Sequence, residues 1–463
     1  MKKKLLAMLL SGILVFSSIA LVACGDGGTN DVGNDDATVA DESNGEADES
    51  AQAAPTGERE HIYIIMPHEG SEIGRNDIIL GRIQEEFPDV DFTMESVPGD
   101  ESDYATRIRT LIAAGGDGID VWWDRGGSWV IPLFEANAVL ALDDYLDNIP
   151  GFWDTVMHSA IIPHYDGHVY AIPCEEVFYA IILYNTEIFD DLGLSPPETA
   201  EELREVIRTI QGAEDDIIPI VLSAGAGWPA AMFVENFALT LDMTSTERVV
   251  NGEVPFSETS YREAAEFVQE LLDMGAFDEN VALADSSEVN SLFITGQAAM
   301  FATASWYLSP RYRDMDGNVD WFFYPVLDGG DVSLLGTHGS GGVKVNAGSM
   351  VYAGTANRQL ATEVAASLSR NFQRYLYEVL ETPFVVYHPD LLGWDHPVIS
   401  APSLRLVEIM NYFTYTYNFV QDVMPTAPGT SMLMNSSSQF FANMPGYGVE
   451  EYLDDLDRSL LEE

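Results

Sequence analysis

Residues 170–189, YAIPCEEVFYAIILYNTEIF, constrain this chain more than any other stretch. They are apolar and rich in β-branched and aromatic side chains, the composition of a buried strand. Yet two adjacent carboxylates, Glu175 and Glu176, sit near the middle. Burying an unpaired carboxylate costs on the order of several kcal/mol. Side chains alternate faces along a strand, so one of the two must point away from the core wherever the strand lies. Two arrangements satisfy this: a strand end with one solvated Glu, or a crossing between two lobes with a carboxylate left in the cleft.

The flanking pattern is that of an α/β chain. Residues 61–66 (HIYIIM) read as a buried strand, 78–87 as a helix closed by Pro88, and 90–97 (VDFTMESV) as an alternating strand. Strand–helix–strand opens a domain with a parallel pair. A helix over 104–114 ends at Gly115-Gly116, and the strand 119–123 (IDVWW) runs into the polar loop Asp124-Arg125-Gly126-Gly127. Open α/β sheets place their ligands at such strand ends. Beyond the central stretch, Thr199 is the expected N-cap of a helix over 200–211. Strands are expected over 217–222, 319–326 and 343–346, and a long helix over 358–380. The last third is helical and aromatic.

With 463 residues and 46% hydrophobic content, the chain can build two or three ordinary domains. Its 21 Lys and Arg stand against 75 Asp and Glu, a formal net charge of −54. Phosphate binding needs clustered basic residues, so nucleic acid is excluded as a partner, as is docking on anionic lipid through a basic face. Beyond residue 4 the single lysine is Lys344. An acidic, lysine-poor exterior fits a saline or alkaline setting, where salt screens self-repulsion and Arg keeps its charge.

Residues 1–23 have a basic start and an apolar run ending in small residues, the plan of a secretory signal peptide. Residues 24–57 carry many acids and small polar residues with no Lys or Arg, and are expected to be a disordered tether. With Cys24 at the signal boundary, Cys174 has no disulfide partner and reads as a small buried hydrophobe.

Few residues fall into patterns that carry chemistry. The eight His show no HExxH or HxH spacing, and there is no GxSxG elbow, Walker A loop or GxGxxG before a helix. No cofactor or metal is expected. Among so many acids, a pair suited to glycoside hydrolysis cannot be singled out. The Trp residues say more: Trp122, Trp123, Trp228 and Trp306 follow strand ends or Gly turns. Indoles beside carboxylates and Arg suit a sugar, whose apolar ring face stacks while its hydroxyls take charge-assisted hydrogen bonds. For each Trp, plain core packing is the competing reading.

Several passages resemble the family 1 extracellular solute-binding proteins of ABC importers, the group that includes maltose-binding proteins. They are 111–124 (LIAAGGDGIDVWWD) with 140–146, 166–189 with 193–202 (GLSPPETAEE), and 292–306 (LFITGQAAMFATASW). Residues 21–25 (LVACG) resemble the bacterial lipobox, in which the Cys, here Cys24, is acylated. The resemblance implies a two-lobed periplasmic-binding-protein-like α/β fold (type II) that closes on ligand by a hinge. The boundaries it implies are 58–172 and 331–385 for one lobe, and 173–330 and 386–463 for the other. Crossings fall near 171–177 and 328–337. It further implies a monomer on the outer face of the cell membrane, lipid-anchored through Cys24, delivering a mono- or oligosaccharide to an ABC permease without chemical turnover. Solute contacts carried over are Asp124 and Arg125, Trp122 or Trp123 on the same wall, Glu176 or Glu175 at the crossing, Trp228, Trp306, and Glu69 in the first strand's loop. The chain departs from the pattern at 347–349, which reads AGS, and at Ser431-Met432-Leu433 where maltose binders carry an aromatic. A polyamine-like cation in the same fold, and a surface glycoside hydrolase, are the alternatives.

Overall fold

The computed structural model describes residues 59–68, 73–98, 101–164, 166–213, 216–344 and 346–462. The signal and tether segments, Cys24 and Glu69 lie outside them. Ten strands form two sheets: β1 (Glu60–His68), β2 (Val90–Pro98), β3 (Val121–Asp124), β4 (Phe178–Asn185), β5 (Ile218–Val221), β6 (Ala298–Ala304), β7 (Val319–Phe322), β8 (His338–Gly342), β9 (Gly348–Val351) and β10 (Tyr415–Tyr417). The first sheet runs β2-β1-β3-β9, with β1 parallel to β2 and β3, and β9 antiparallel to β3. The second runs β10-β8-β4-β6-β5, with β7 also on β4.

Each sheet is the middle layer of one lobe. In the first lobe, Ile62, Ile64, Val121 and Trp123 pack on the helices Ile73–Glu86 and Arg358–Glu378. Ile65 and Trp122 face the opposite side, against Tyr104 and Ile108 of the helix Glu101–Ala113. In the second lobe, Ala180 and Ile182 of β4 face the helices Ala200–Gln211, Trp228–Leu239, Tyr261–Asp273, Ala427–Phe441 and Val449–Ser459. Ile181 and Leu183 face Val289, Phe293 and Leu406. A strand covered on both faces reads as a continuous apolar run, which is why β4 shows no alternation.

The local punctuation works as the sequence implies. The first helix stops before Pro88, which cannot continue it. Thr199 caps its helix in a reciprocal box: Glu202 N donates to Thr199 Oγ1 at 3.3 Å, and Thr199 N to Glu202 Oε2 at 3.0 Å.

Two expected boundaries are corrected. Residues 338–342 form β8 and pair with β4, so the chain returns to the first lobe at 343–347, not near 328–337. Residues 343, 344 and 346 accordingly belong to no strand; the crossing runs through them. Val386, Tyr387 and Trp394 belong to the first lobe's core, whereas Leu406 belongs to the second lobe's. A third crossing therefore lies between 394 and 406. The other crossing, 173–177, falls within the predicted stretch.

Gly348 marks where the second crossing joins the first sheet. Its φ is +138°, and an added Cβ would lie 2.1 Å from the carbonyl oxygen of Ile172, while Ser349 and Ile172 exchange backbone hydrogen bonds. Gly348→Ala is expected to cost about 3 kcal/mol or more in urea unfolding. Gly329→Ala, also at positive φ but with open space around it, is expected to cost only about 1 kcal/mol.

Candidate functional site

Three groups of side chains meet where the lobes join. The first is the end of β3. Asp124 is buried and held by its neighbours: Trp122 Nε1 donates to its Oδ2 at 3.0 Å, and Gly126 N to its Oδ1 at 2.8 Å. Trp122 is fully buried and Trp123 nearly so, on opposite faces of the sheet, as strand alternation requires. The two therefore do not share a wall. Trp122 acts on the site through Asp124, whose orientation it fixes. Trp123 packs on Phe372 at 4.7 Å between centroids, with the Arg75 and Arg125 guanidiniums 5.2 and 5.5 Å from its ring. Cations at that range are attracted by the indole quadrupole, which helps fix Arg125.

The second group is aromatic and belongs to the second lobe. Trp306 follows β6 and Trp228 opens its helix; both are half-buried. Their rings lie 5.8 Å apart at 65°. Phe178 sits 5.2 Å from both Trp306 and Phe419, which in turn lies 6.2 Å from Trp306. These are edge-to-face or tilted contacts, the geometry that aromatic quadrupoles favour.

The third group is the 173–177 crossing, which ends immediately before Phe178. Glu175 is half-buried and Glu176 buried. Burial first, and the neighbouring Glu175 charge second, push the Glu176 carboxyl up to about 8. The strand end with a solvated Glu is thus replaced by a lobe crossing that carries a buried one.

Contacts between the lobes bring these groups together. Ser128, three residues past Arg125, meets Thr430 of the second lobe at 2.6 Å between hydroxyl oxygens. Gly127 lies against Asp422, three residues after Phe419, and Asp422 pairs with Lys344 of the second crossing at 3.0 Å. Asp124 and Arg125 thus lie just before this seam in the first lobe, Glu175 and Glu176 on the crossing just before Phe178, and Trp306, with Trp228 against it, beside Phe178 and Phe419 in the second lobe. Lys344 stands out in the sequence only as the single lysine beyond residue 4, and Ser128, Phe419, Asp422 and Thr430 were not among the expected site residues. The adjacent glycines after Arg125 and the isolated lysine were the signals present.

Away from these residues, a groove of about 400 Å³ is lined by Tyr312, Arg313, Glu381 and Ser400, and a smaller pocket of about 30 Å³ lies at Leu334 and Leu335. Among the described residues no cluster of three His, Cys, Asp or Glu could hold a metal, and no helix is long and apolar enough to cross a membrane.

Two α/β lobes joined by crossings, with polar and aromatic side chains gathered at their junction, define a two-lobed binding fold. The chain belongs to the bacterial extracellular solute-binding protein family, whose pattern it matches over residues 74–371. An ABC transporter extracellular-binding protein of Pyrococcus horikoshii is 21% identical over 338 residues, 71% of this chain and 70% of its own. The maltotriose-binding protein of Pyrococcus abyssi is 24% identical over 338 residues, 68% of this chain and 66% of its own. A solved structure from work on xylan utilization by Caldanaerobius polysaccharolyticus shares the fold with a TM-score of 0.74 at 22% identity, covering 86% of this chain and 99% of that one.

Proposed function

We propose that this protein captures a carbohydrate between its lobes and hands it, unchanged, to an ABC import permease, held at the outer face of the membrane by acylated Cys24. The carbohydrate reading rests on the half-buried Trp228–Trp306 pair, its rings 5.8 Å apart, in the lobe whose Thr430 is met by Ser128, close after the Asp124–Arg125 loop. Indoles stack on a pyranose face, and a carboxylate beside a guanidinium serves hydroxyls as acceptor and donor. Glu175 and Glu176 would add acceptors at the crossing. Relatives named for maltotriose binding and xylan utilization are in keeping with a sugar. Solute contacting both lobes shifts the population toward the closed form, which the permease would read.

A cationic solute is the second reading, favoured by the half-buried Glu175 at the crossing. Arg125, on the opposite wall, counts against it, since a like charge facing a desolvated cation is costly.

The test is intrinsic Trp fluorescence of the form starting after Gly57, titrated in high salt with mono- and oligosaccharides and with polyamines. A saturable change with one sugar class, and recovery of that sugar intact, is expected. A response to amines alone would establish the cationic reading, and conversion of the sugar would establish an enzyme.

A further inference from the structure

The contacts between the lobes form a unit of their own. The turn 126–128 leaves the first lobe immediately after Arg125, with φ of +75° at Gly126 and +69° at Gly127. That backbone is open to glycine and strained for other residues. It lets the turn reach the second lobe closely enough that a Cβ on Gly127 would lie 3.6 Å from the Cα of Asp422. Ser128 and Thr430, 1% and 2% exposed, meet there through their hydroxyls at 2.6 Å. Thr430 Oγ1 also lies 3.1 Å from the carbonyl oxygen of Thr426, one turn back, and donates to it. Ser128 is then the donor to Thr430. Beside them Lys344 and Asp422 pair at 3.0 Å with side chains only 12% and 9% exposed. Asp422 sits on the short helix Val420–Val423, which the second lobe's core holds at its start, where Val420 N donates to the buried Glu235 at 3.1 Å.

We infer that Ser128, Thr430, Lys344 and Asp422 are a latch: positioning residues that hold the closed arrangement through contacts between the lobes, and so set the affinity of the site alongside the solute. The inference rests on the binding-protein reading but not on the nature of the solute. Its physics lies in the difference between states. When the lobes part, Ser128 and the Lys344–Asp422 corner meet water. When they close, each loses water and must find its partner in the protein. Removing one partner therefore penalises the closed state and leaves the open state nearly unchanged. Removing both partners of the ion pair removes the desolvation that the pairing offsets, so closure recovers. A side chain serving only the stability of one lobe would not behave in this way.

The test uses the full-length chain in detergent, with no solute added, and spin labels on Thr106→Cys in the first lobe and Glu205→Cys in the second, both exposed positions. Distances between labels are read by double electron–electron resonance. The unaltered latch is expected to show a closed population. Asp422→Asn should lower the closed-to-open ratio by roughly tenfold or more, and Ser128→Ala by about fivefold. Lys344→Met combined with Asp422→Asn should return the ratio to within about threefold of its starting value. Melting temperatures, measured in parallel, should change little for Ser128→Ala, which removes one hydroxyl and cannot unfold a lobe. Overlapping distance distributions for the parent, Ser128→Ala and Asp422→Asn would overturn the latch. So would a double variant that opens further than the single one. Neither outcome would bear on whether the solute is a sugar, which the fluorescence titration decides separately.

Discussion

Trp306→Ala is expected to weaken solute binding by about 2–4 kcal/mol, between thirtyfold and a thousandfold, the range of a buried aromatic anchor. The ring is held before the solute arrives: Phe178, Trp228, Phe419 and Tyr307 surround it at 5.2–6.4 Å between centroids. A ring fixed in this way loses little freedom when a sugar stacks on it, so most of its contact energy appears as affinity. Its backbone is a short 3-10 turn between β6 and the helix Leu308–Asp314, and neither depends on the indole for its hydrogen bonds. The melting temperature should therefore shift far less than the affinity. Calorimetric titration with whichever solute the fluorescence identifies is the check, and unchanged affinity would remove Trp306 from the site.

The second large effect is on stability. Two carboxyls, Glu176 and Glu235, are buried and pushed up to about 8. Glu235 is fully buried in the second lobe, accepting from Thr246 Oγ1 at 2.8 Å, Val420 N at 3.1 Å and Ser340 Oγ at 3.4 Å. Burial is the largest cause of its shift, and the hydrogen bonds oppose it without cancelling it. The sign follows from counting protons. Between the ordinary carboxyl value of 4.5 and about 8, the folded chain keeps these two protons and the unfolded chain has released them. The folded state binds more protons throughout that window, so stability falls as pH rises across it and levels off above. Each unit of separation is worth about 1.4 kcal/mol, so each carboxyl contributes a loss of up to a few kcal/mol. Carboxylates held below their usual range, such as Glu378 beside Arg374, act oppositely and only below pH 4.5. Urea unfolding at pH 5, 7 and 9 should show a steady decline. Glu235→Gln, which imitates the protonated form, should match the parent at pH 5 and exceed it by a few kcal/mol at pH 9. A flat profile for both proteins would refute this account. Of the two settings that suit the acidic exterior, an alkaline one would work against these carboxyls and a saline one would not.

Much of this architecture is legible in the chain. The strand–helix order and the Thr199 cap rest on local rules, periodicity and capping, whereas the cost of burying a charge left two places open for Glu175 and Glu176 and only the family resemblance pointed to a crossing. What was not legible depends on distant partners. Residues 338–342 (HGSGG) have no apolar period, and become a strand only because β4 and β10 flank them. Trp122 and Trp123 could be placed on opposite faces from alternation alone, but not both inside. That required the helices Glu101–Ala113 and Arg358–Glu378 to cover both faces of β3. Ser128 and Thr430 carry no local mark at all. Each is an ordinary hydroxyl until the lobes meet.

The three crossings also govern the order in which the fold can form. The first lobe needs β9, the helix Arg358–Glu378 and Trp394 before its core is complete, and the second needs the helices that end at Ser459. Neither is a continuous piece of chain. A growing or threading polypeptide therefore passes Trp394 before the first core can be complete and Ser459 before the second can, and long-range pairings such as β3 with β9 come late. The same interleaving ties the lobes into one cooperative body once formed, since neither can unravel far without pulling on segments that the other holds.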